Sequence, residues 1–330
     1  MTKERISEAW GEISLRYVEE ALTDVNQHTA RPRGLFRAGL VAAVIAGLLM
    51  LTVGAVFLLK PVLRTYFGES AAYVYQKNSQ ILNLSQIADG WTMSLTDCVG
   101  DDNRLYVGIE VTAPEGTALM EQGSPLPYGI EEIDIDVGEG ARHPGAWYIS
   151  QIPDDNEADN HLRFVLWMNC QESLDGKSLS LTLGKLSHGN GACDFEGSWS
   201  FRDIRLDLAD QSIRLEPQVS VPVLDTTATL TELTVSPVSI TLSFQGEGLI
   251  GQCQRYPNGT NITDPTIVLY DHEGNVMQLE TRYAPFGSRA GSGSNNTTGE
   301  LRIVQGYESF IDLDALDHIE ICGVDIRIGR

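Results

Sequence analysis

Acidic side chains are the first candidates for chemistry in this sequence of 330 residues. Glu132, Asp134 and Asp136 alternate with apolar residues, so a strand would place three carboxylates on one face, where they could bind Ca²⁺. The acidic segment 154–159 also suggests a calcium loop, but asparagine stands at the sharp turn that requires glycine, and leucine replaces the final bidentate glutamate. Most rows of this kind form a solvated strand face. We therefore predict no metal site and no cofactor.

The sequence contains no recognisable catalytic motif. Its six histidines are scattered and form no HExxH pair, and no GxSxG, Walker or GxGxxG pattern occurs. We therefore predict no catalytic residues and a protein that is not an enzyme.

The five cysteines leave two interpretations open. Cys253 and Cys322 could form a disulfide that closes a long loop, which would stabilise the fold by about 4 kcal/mol in the chain-entropy model. Alternatively, all five are buried thiols that behave as small apolar residues. Their spacing fits neither a zinc site nor a CxxC motif, and an odd number leaves at least one thiol free or intermolecular.

Residues 38–59 form an apolar run of 22 positions without a charge, in which Thr52 is the one polar side chain. A helix of this length spans roughly 33 Å, enough to cross a hydrocarbon core of about 30 Å. A buried core helix rarely stays apolar on every face, and a signal peptide has a shorter apolar run and a small-residue cleavage site. We predict a single transmembrane helix. Gly39, Ala43 and Gly47 form a small-residue face on which two such helices could pair.

The charge distribution predicts the orientation of this helix. Acidic and basic residues balance in residues 1–37, so the whole net charge of −22 belongs to the part that follows the span. Three arginines precede the span, and Lys60 and Arg64 follow it, which weakly favours a cytoplasmic N-terminus. An acidic tail is soluble and is repelled by nucleic acid and anionic lipid. We predict a single-pass plasma-membrane protein with extracytoplasmic C-terminal domains and no nucleic-acid partner.

The tail after the span predicts a mainly β fold. Residues 91–99 alternate apolar and polar side chains, residues 100–103 have turn chemistry, and residues 105–111 supply a partner strand. Similar short runs recur at 130–137, 162–168, 179–183, 198–206, 213–223, 228–235, 238–244, 266–270, 276–279, 301–304, 310–313 and 319–328.

Many short strands without long helical periods are typical of β-sandwiches. The tail is longer than one ordinary sandwich, and the strand pattern is interrupted near residue 208. We predict a juxtamembrane stalk at 60–78 and two tandem immunoglobulin-like antiparallel β-sandwiches at 79–208 and 209–330. The Gly/Ser/Asn-rich segment 284–299 is predicted to be a loop.

The head, residues 1–37, predicts a short amphipathic helix. Its apolar positions step by three or four residues, which is close to the helical period of 3.6, and the charged residues lie off this stripe. The stripe consists of Ile6, Trp10, Ile13, Tyr17 and Ala21. A lone helix has no core of its own, and a net charge of zero is unlike the basic face of helices that bind membrane surfaces. A protein partner is therefore expected at this stripe, and a merely solvated helix is the alternative.

The head and several tail segments resemble a known family. Residues 6–21 (ISEAWGEISLRYVEEA) resemble the segment that opens anti-sigma-factor-like single-pass membrane proteins of clostridial Gram-positive bacteria. In this chain Leu15 replaces the acidic residue that is usual before the Arg-Tyr pair. The uncharacterised extracytoplasmic β domain (a domain of unknown function) of this group is similar to the tail at WTMSLTD, NRLYV, VTAPEG, GSWSF and VSPVS. The resemblance implies a regulator whose cytoplasmic helix binds a sigma factor while its outer domains sense or bind a ligand at the envelope.

Two other classes of function remain as alternatives. The protein could be a cell-surface binding or adhesion module with an inert head, or an envelope enzyme whose site residues are too dispersed to recognise. An enzyme would require a concave pocket with converging ionisable groups.

Overall fold

The computed structural model describes residues 61–68, 72–117, 119, 128–138, 144, 146–152, 160–170, 173–188, 192–208, 211–223, 225–250, 266–277, 290–295, 298–307 and 309–329. No helix among these residues has both the length and the apolar character that a membrane crossing requires. The predicted head and the predicted span at 38–59 lie outside the described residues. The described residues form one compact unit.

The described chain is mainly β. Two short helices come first, α1 (Val62–Phe67) and α2 (Ala72–Asn78). Eleven strands follow: β1 (Ser79–Ala88), β2 (Trp91–Gly100), β3 (Arg104–Thr112), β4 (Tyr128–Ile130), β5 (Asp134–Val137), β6 (Ala146–Ile152), β7 (His161–Asn169), β8 (Ser178–Leu183), β9 (Leu186–His188), β10 (Ala192–Phe195) and β11 (Trp199–Arg205). Nine more lie in the remaining described ranges: β12 (Ile213–Leu215), β13 (Val219–Val223), β14 (Thr226–Val235), β15 (Ser239–Gln245), β16 (Ile267–Asp271), β17 (Ala290–Asn295), β18 (Glu300–Gly306), β19 (Leu316–Ile321) and β20 (Val324–Arg327). A 3₁₀ turn, Glu247–Leu249, follows β15.

The first half of the tail has a sandwich-like arrangement of antiparallel strands. A five-stranded sheet has the order β1-β2-β3-β7-β6, and two three-stranded sheets have the orders β10-β9-β4 and β11-β8-β5. Their facing side chains share one buried apolar cluster, within which Trp199 is fully buried and stacks on Phe195 at a ring-centroid distance of 4.2 Å. The predicted pairing of 91–99 with 105–111 is confirmed as β2 and β3.

The second half repeats this arrangement with its own core. One sheet has the order β12-β14-β15-β18-β17, with β13 also paired to β14, and a three-stranded sheet has the order β16-β19-β20. A separate buried cluster joins them; it includes Leu242, Phe244 and Ile303 from the larger sheet and Ile319 and Ile321 from the smaller one.

Two glutamine side chains connect the edges of the sheets in the first half. Gln80 on β1 donates from Nε2 to the carbonyl of Arg205 (2.9 Å) and accepts the N–H of Asp207 at Oε1 (3.0 Å). Gln86 accepts the N–H of Ser200 at 2.8 Å and donates to the carbonyl of the same residue. A primary amide carries one acceptor and one donor group, so it can pair with a backbone as a neighbouring strand would. The edge strand β11 is thereby partly covered.

The structure differs from the sequence-based strands at several turns. The predicted strand 130–137 is divided between β4 and β5, which belong to different sheets, because Glu132 adopts φ = 56°. The run 319–328 is likewise divided at Cys322 and Gly323, which both have positive φ. Residues 310–313 form no strand although Phe310, Ile311 and Leu313 are buried. Part of the predicted loop 284–299 is strand β17.

The segment predicted as a stalk also differs. Within 60–78 the structure has helices α1 and α2, and Val62, Leu63, Tyr66 and Phe67 of α1 are buried. Their apolar spacing of i, i+1, i+4 and i+5 is that of a helix with one covered face. This segment is therefore part of the folded tail.

Candidate functional site

The carboxylate of Asp97 binds the first turn of helix α1. The N–H of Val62 donates to Oδ1 at 3.1 Å, and the N–H of Leu63 donates to Oδ2 at 3.2 Å. The first N–H groups of a helix have no partner within it, and the helix dipole favours negative charge at this end. Pro61, the residue at the N-cap, makes no side-chain cap. Asp97 therefore caps a helix that lies 34 residues earlier in the chain.

A bulge in β2 places two consecutive side chains at this helix end. The β2–β3 register shifts between Leu95 and Asp97, so both Thr96 and Asp97 reach the N–H of Val62. Strand bulges commonly redirect a side chain in this way. In a regular strand, two consecutive side chains would point to opposite faces of the sheet.

Two hydroxyl groups complete the environment of Asp97. Tyr75 on α2 donates to Oδ2 at 2.9 Å, and Thr96 donates to Oδ1. Burial raises the pKa of Asp97, while the hydrogen bonds from Thr96, Tyr75, Leu63 and Val62 oppose that shift. Burial, followed by the charge of Asp97, raises the pKa of Tyr75 above its usual value, so the phenol remains a donor. The carboxylate thus holds both α1 and α2.

Gly108 allows α1 to approach the sheet. It lies opposite Asp97 in the β2–β3 register. A Cβ atom at this position would overlap Asp97 Oδ1 and would come within 2.9 Å of Val62 Cβ. We name the set Thr96, Asp97, Gly108 and Tyr75, which receives the start of α1, the helix-docking site.

Substitution of Gly108 by alanine is expected to lower the free energy of unfolding by about 1–3 kcal/mol, because the added methyl group overpacks the helix-docking site. Denaturant unfolding of the full-length protein in detergent measures this loss. The matched control is Gly129→Ala on β4, where a Cβ meets nothing within 4 Å. The control should change stability by no more than about 0.5 kcal/mol. Equal effects of the two substitutions would contradict the close approach at Gly108.

Aromatic side chains hold α1 against both halves of the tail. The ring of Phe67 lies 5.1 Å from that of Tyr106 on β3 and 4.2 Å from that of Phe310 in the second half. Tyr66 lies 6.2 Å from Tyr106. Val238 belongs to the same buried cluster. Burial of such rings is among the larger apolar contributions to stability. Helix α1 therefore packs against both halves and stabilises their contact.

A second buried carboxylate joins the halves directly. Asp101 Oδ1 accepts the N–H groups of Asn103 and Arg104, both at 2.8 Å. Its Oδ2 accepts hydrogen bonds from the hydroxyls of Ser236 and Ser239 in the second half. Asp101 is 6% exposed. The two carboxylate oxygens of Asp101 therefore connect the β2–β3 turn to the β14–β15 turn.

The buried guanidinium of Arg104 lies beside this contact. Its Cζ is 4.0 Å from the ring centre of Trp167 and 4.9 Å from that of Tyr106, and Nη1 donates to Asn169 Oδ1 at 2.6 Å. Gly306 of the second half faces it, and a Cβ there would lie 2.6 Å from Arg104 Cζ. Cation–π contacts are stronger when desolvated. Arg104 thus extends the inter-half contact across the sheet surface.

The candidate residues identified from the sequence lie outside the helix-docking site or outside the described residues. The head stripe (Ile6, Trp10, Ile13, Tyr17 and Ala21), the small-residue face (Gly39, Ala43 and Gly47) and Cys253 lie outside the described residues. Cys322 is half-buried, and because Cys253 is not described, the pairing of these two cysteines stays a prediction. Asp134 and Asp136 are exposed on β5, and Glu132 lies in the preceding turn. Within the described ranges, no cluster of His, Cys, Asp or Glu could hold a metal ion.

Three further cysteines lie in the first half of the tail. Cys98 and Cys170 are buried and Cys193 is exposed. Burial raises the pKa of the Cys98 thiol to about 12, which keeps it protonated and inert at neutral pH. The interpretation as small buried residues fits Cys98 and Cys170 and is wrong for the exposed Cys193.

Comparison with known proteins gives a likeness of fold alone. No protein-family model and no curated protein matches the chain. A crystal structure of a conserved domain protein from Bacillus anthracis is similar, with a TM-score of 0.52 and 13% identity over 77% of this chain and 78% of that one. The N-terminal periplasmic domain of ScsB from Proteus mirabilis aligns over 74% of this chain and 97% of its own, at 15% identity and a TM-score of 0.22.

Proposed function

We propose that the chain is a single-pass plasma-membrane regulator of the anti-sigma-factor type. Its head would bind a sigma factor in the cytoplasm, and its acidic β tail would sense or bind a ligand outside the membrane. The chain would act without a catalytic step or cofactor. The predicted span ends at residue 59, three residues before α1 begins.

The observation that carries this proposal is the docking of α1. A flexible stalk would let the tail move freely relative to the span, which suits a tethered adhesion module. Here the helix that follows the predicted span is held by Asp97 and is packed against Tyr106 and Phe310. A change in the contact between the two halves would therefore alter the position of the chain that leaves the membrane. This coupling supports a regulator more than an adhesion module.

We further propose that each half of the tail is an immunoglobulin-like sandwich. Each half has two groups of antiparallel strands around its own apolar core. The likeness to the Bacillus anthracis domain protein concerns the fold alone. Pairing of two spans through Gly39, Ala43 and Gly47 belongs to the same proposal.

Affinity capture of the full-length protein from detergent-solubilised membranes tests the regulatory role. We expect a sigma factor to be recovered with the wild type and to be lost with the double substitution Trp10→Ala and Tyr17→Ala, because the head stripe is the proposed contact. The matched control is Glu12→Ala, which lies off the stripe and should leave recovery unchanged. Equal recovery with all three proteins, or none with the wild type, would contradict the proposal.

A further inference from the structure

The chain between the predicted span and the folded tail is short. The span ends at residue 59, and helix α1 begins at Val62. Three residue steps of a fully extended chain cover no more than about 11 Å. The headgroup region of one leaflet is about 5–8 Å thick. With residues 38–59 across the bilayer, the start of α1 therefore lies beside the headgroups, and no spacer separates the folded tail from the lipid.

The contacts of α1 indicate which part of the tail is nearest to the lipid. The first N–H groups of the helix donate to Asp97 in the first half. Its last residue, Phe67, packs against Phe310 in the second half. The chain therefore enters the tail at Asp97, and the side chains around Asp97 on the outer face of the five-stranded sheet come closest to the bilayer.

Strand β1 presents two exposed isoleucines on this outer face. Ile81 lies directly opposite Asp97 in the β1–β2 register, and Ile87 lies opposite Thr92. Paired residues of neighbouring strands share a sheet face, and the face opposite to that of Thr92 enters the core at Met93. Ile81 is 50% exposed and Ile87 is 75% exposed. The sheet therefore offers an apolar surface beside the point where the chain enters the tail.

The segment around these isoleucines differs in charge from the rest of the tail, which carries the net charge of −22. Between residues 60 and 88 the sequence has one acid, Glu69, and three bases, Lys60, Arg64 and Lys77. Strand β1 has no charged residue, and Arg64 is exposed on α1. Basic groups close to a span are attracted to anionic headgroups, which repel an acidic domain. This segment can therefore approach a lipid surface that the rest of the tail avoids.

The carboxylates near this surface are buried or lie at its border. Glu110 is on the same sheet face, but it is 7% exposed and its carboxylate lies 3.1 Å from His161 Nδ1. Asp89 lies in the turn that follows β1, and Asp312 and Asp314 belong to the second half. None of these groups lies between the two isoleucines and Arg64 in the β1 or α1 sequence.

We propose that Ile81, Ile87 and Arg64 form a surface that rests on the headgroup layer of the outer leaflet. The two isoleucines would enter the interface, where apolar side chains leave water. Arg64 would pair with the phosphate of an anionic phospholipid. The tail would then have one fixed orientation on the membrane. This inference rests on the proposed function only for the transmembrane span.

Photocrosslinking of the full-length protein in vesicles of phosphatidylcholine and phosphatidylglycerol tests the contact. The photoreactive residue p-benzoylphenylalanine replaces Ile81 or Ile87 in separate variants, and mass spectrometry identifies what it binds after irradiation. We expect lipid adducts at both positions. The matched control is the same replacement at Val276, an apolar side chain of the second half that is 55% exposed. The control should give no lipid adduct.

A charge variant tests the contribution of the phosphate contact. Arg64→Gln should lower the yield of lipid adduct at Ile81 about fivefold, the factor that corresponds to one basic residue at an anionic surface. It should leave the yield unchanged in vesicles of phosphatidylcholine alone. Arg327→Gln, an exposed position on β20, is the matched control and should have no effect in either lipid.

The outcomes distinguish this inference from the proposed function. Crosslinks to a second copy of the chain in place of lipid, or equal lipid adducts at Ile87 and Val276, would overturn the inference. Alkaline carbonate extraction of cell membranes tests the span by itself. Wild-type protein that stays in the membrane fraction but gives no lipid adduct retains its span and lacks the surface contact. Release of the wild type by carbonate would remove the span, and with it both the regulatory role and this inference.

Discussion

Substitution of Asp97 by alanine is expected to lower the free energy of unfolding by about 3–5 kcal/mol and to release helix α1 from the sheet. The change removes the acceptor for the N–H groups of Val62 and Leu63 and for the hydroxyl of Tyr75. Leaving buried donors without a partner costs about 1–3 kcal/mol for each group. Removal of a desolvated charge offsets part of this cost. The net effect is the largest that we expect from a single substitution in the tail.

Denaturant unfolding and hydrogen exchange of the full-length protein measure the two parts of this expectation. Unfolding gives the loss of stability, and amide exchange in residues 61–68 reports the release of α1. Asp136→Ala is the matched control, because that carboxylate is exposed on β5 and its loss should cost no more than about 0.5 kcal/mol. Faster exchange confined to other segments, with α1 still protected, would show that Asp97 does not hold the helix.

The second large effect is expected at Asp101, where alanine should cost about 3 kcal/mol. Its carboxylate accepts two N–H groups of its own turn and the hydroxyls of Ser236 and Ser239 in the second half. Hydrogen bonds to a charged acceptor contribute about 1.5–3 kcal/mol each. The bonds to the serines cross between the halves, so their loss should loosen that contact.

A double-mutant cycle separates this contact from the local turn. Asp101→Ala and Ser239→Ala should be non-additive in unfolding free energy by about 1–3 kcal/mol, because the two side chains are directly bonded. The pair Asp101→Ala and Ser187→Ala is the control, since Ser187 bonds Glu131 at a different place in the first half. Additivity in both pairs would mean that Asp101 acts within its own turn alone.

The β character of the tail could be predicted because alternation is a local signal. In β2 and β3 alternate side chains, such as Met93, Leu95 and Val107, belong to the core of the first half, and the residues between the two strands favour a turn. The strand bounds inferred from this signal are wrong where the alternation changes phase. The apolar positions change from even to odd numbers at Glu132 and from odd to even numbers at Cys322, and at these residues, with φ of 56° and 49°, the chain leaves one strand and begins another.

The helix-docking site could not be predicted in the same way. A polar residue on the outer face of a sheet is usually solvated. Nothing in the sequence around Asp97 indicates that its carboxylate is buried. Its burial depends on a helix 34 residues earlier, whose apolar positions are too few to identify a packed element. The glycine at position 108 is likewise ordinary in sequence, and it matters only because Val62 Cβ lies over it. Long-range packing produces these features.

The amide groups of Gln80 and Gln86 have a consequence for how such molecules behave when crowded on a surface. The border strand β11 carries main-chain groups that would otherwise be available to an extended segment of a neighbouring polypeptide. Four side-chain bonds already occupy them at Ser200, Arg205 and Asp207. Any intruding chain must first break those bonds, so they add to the exposed charges of Arg202, Asp203 and Arg205 in protecting this border against edge-to-edge aggregation.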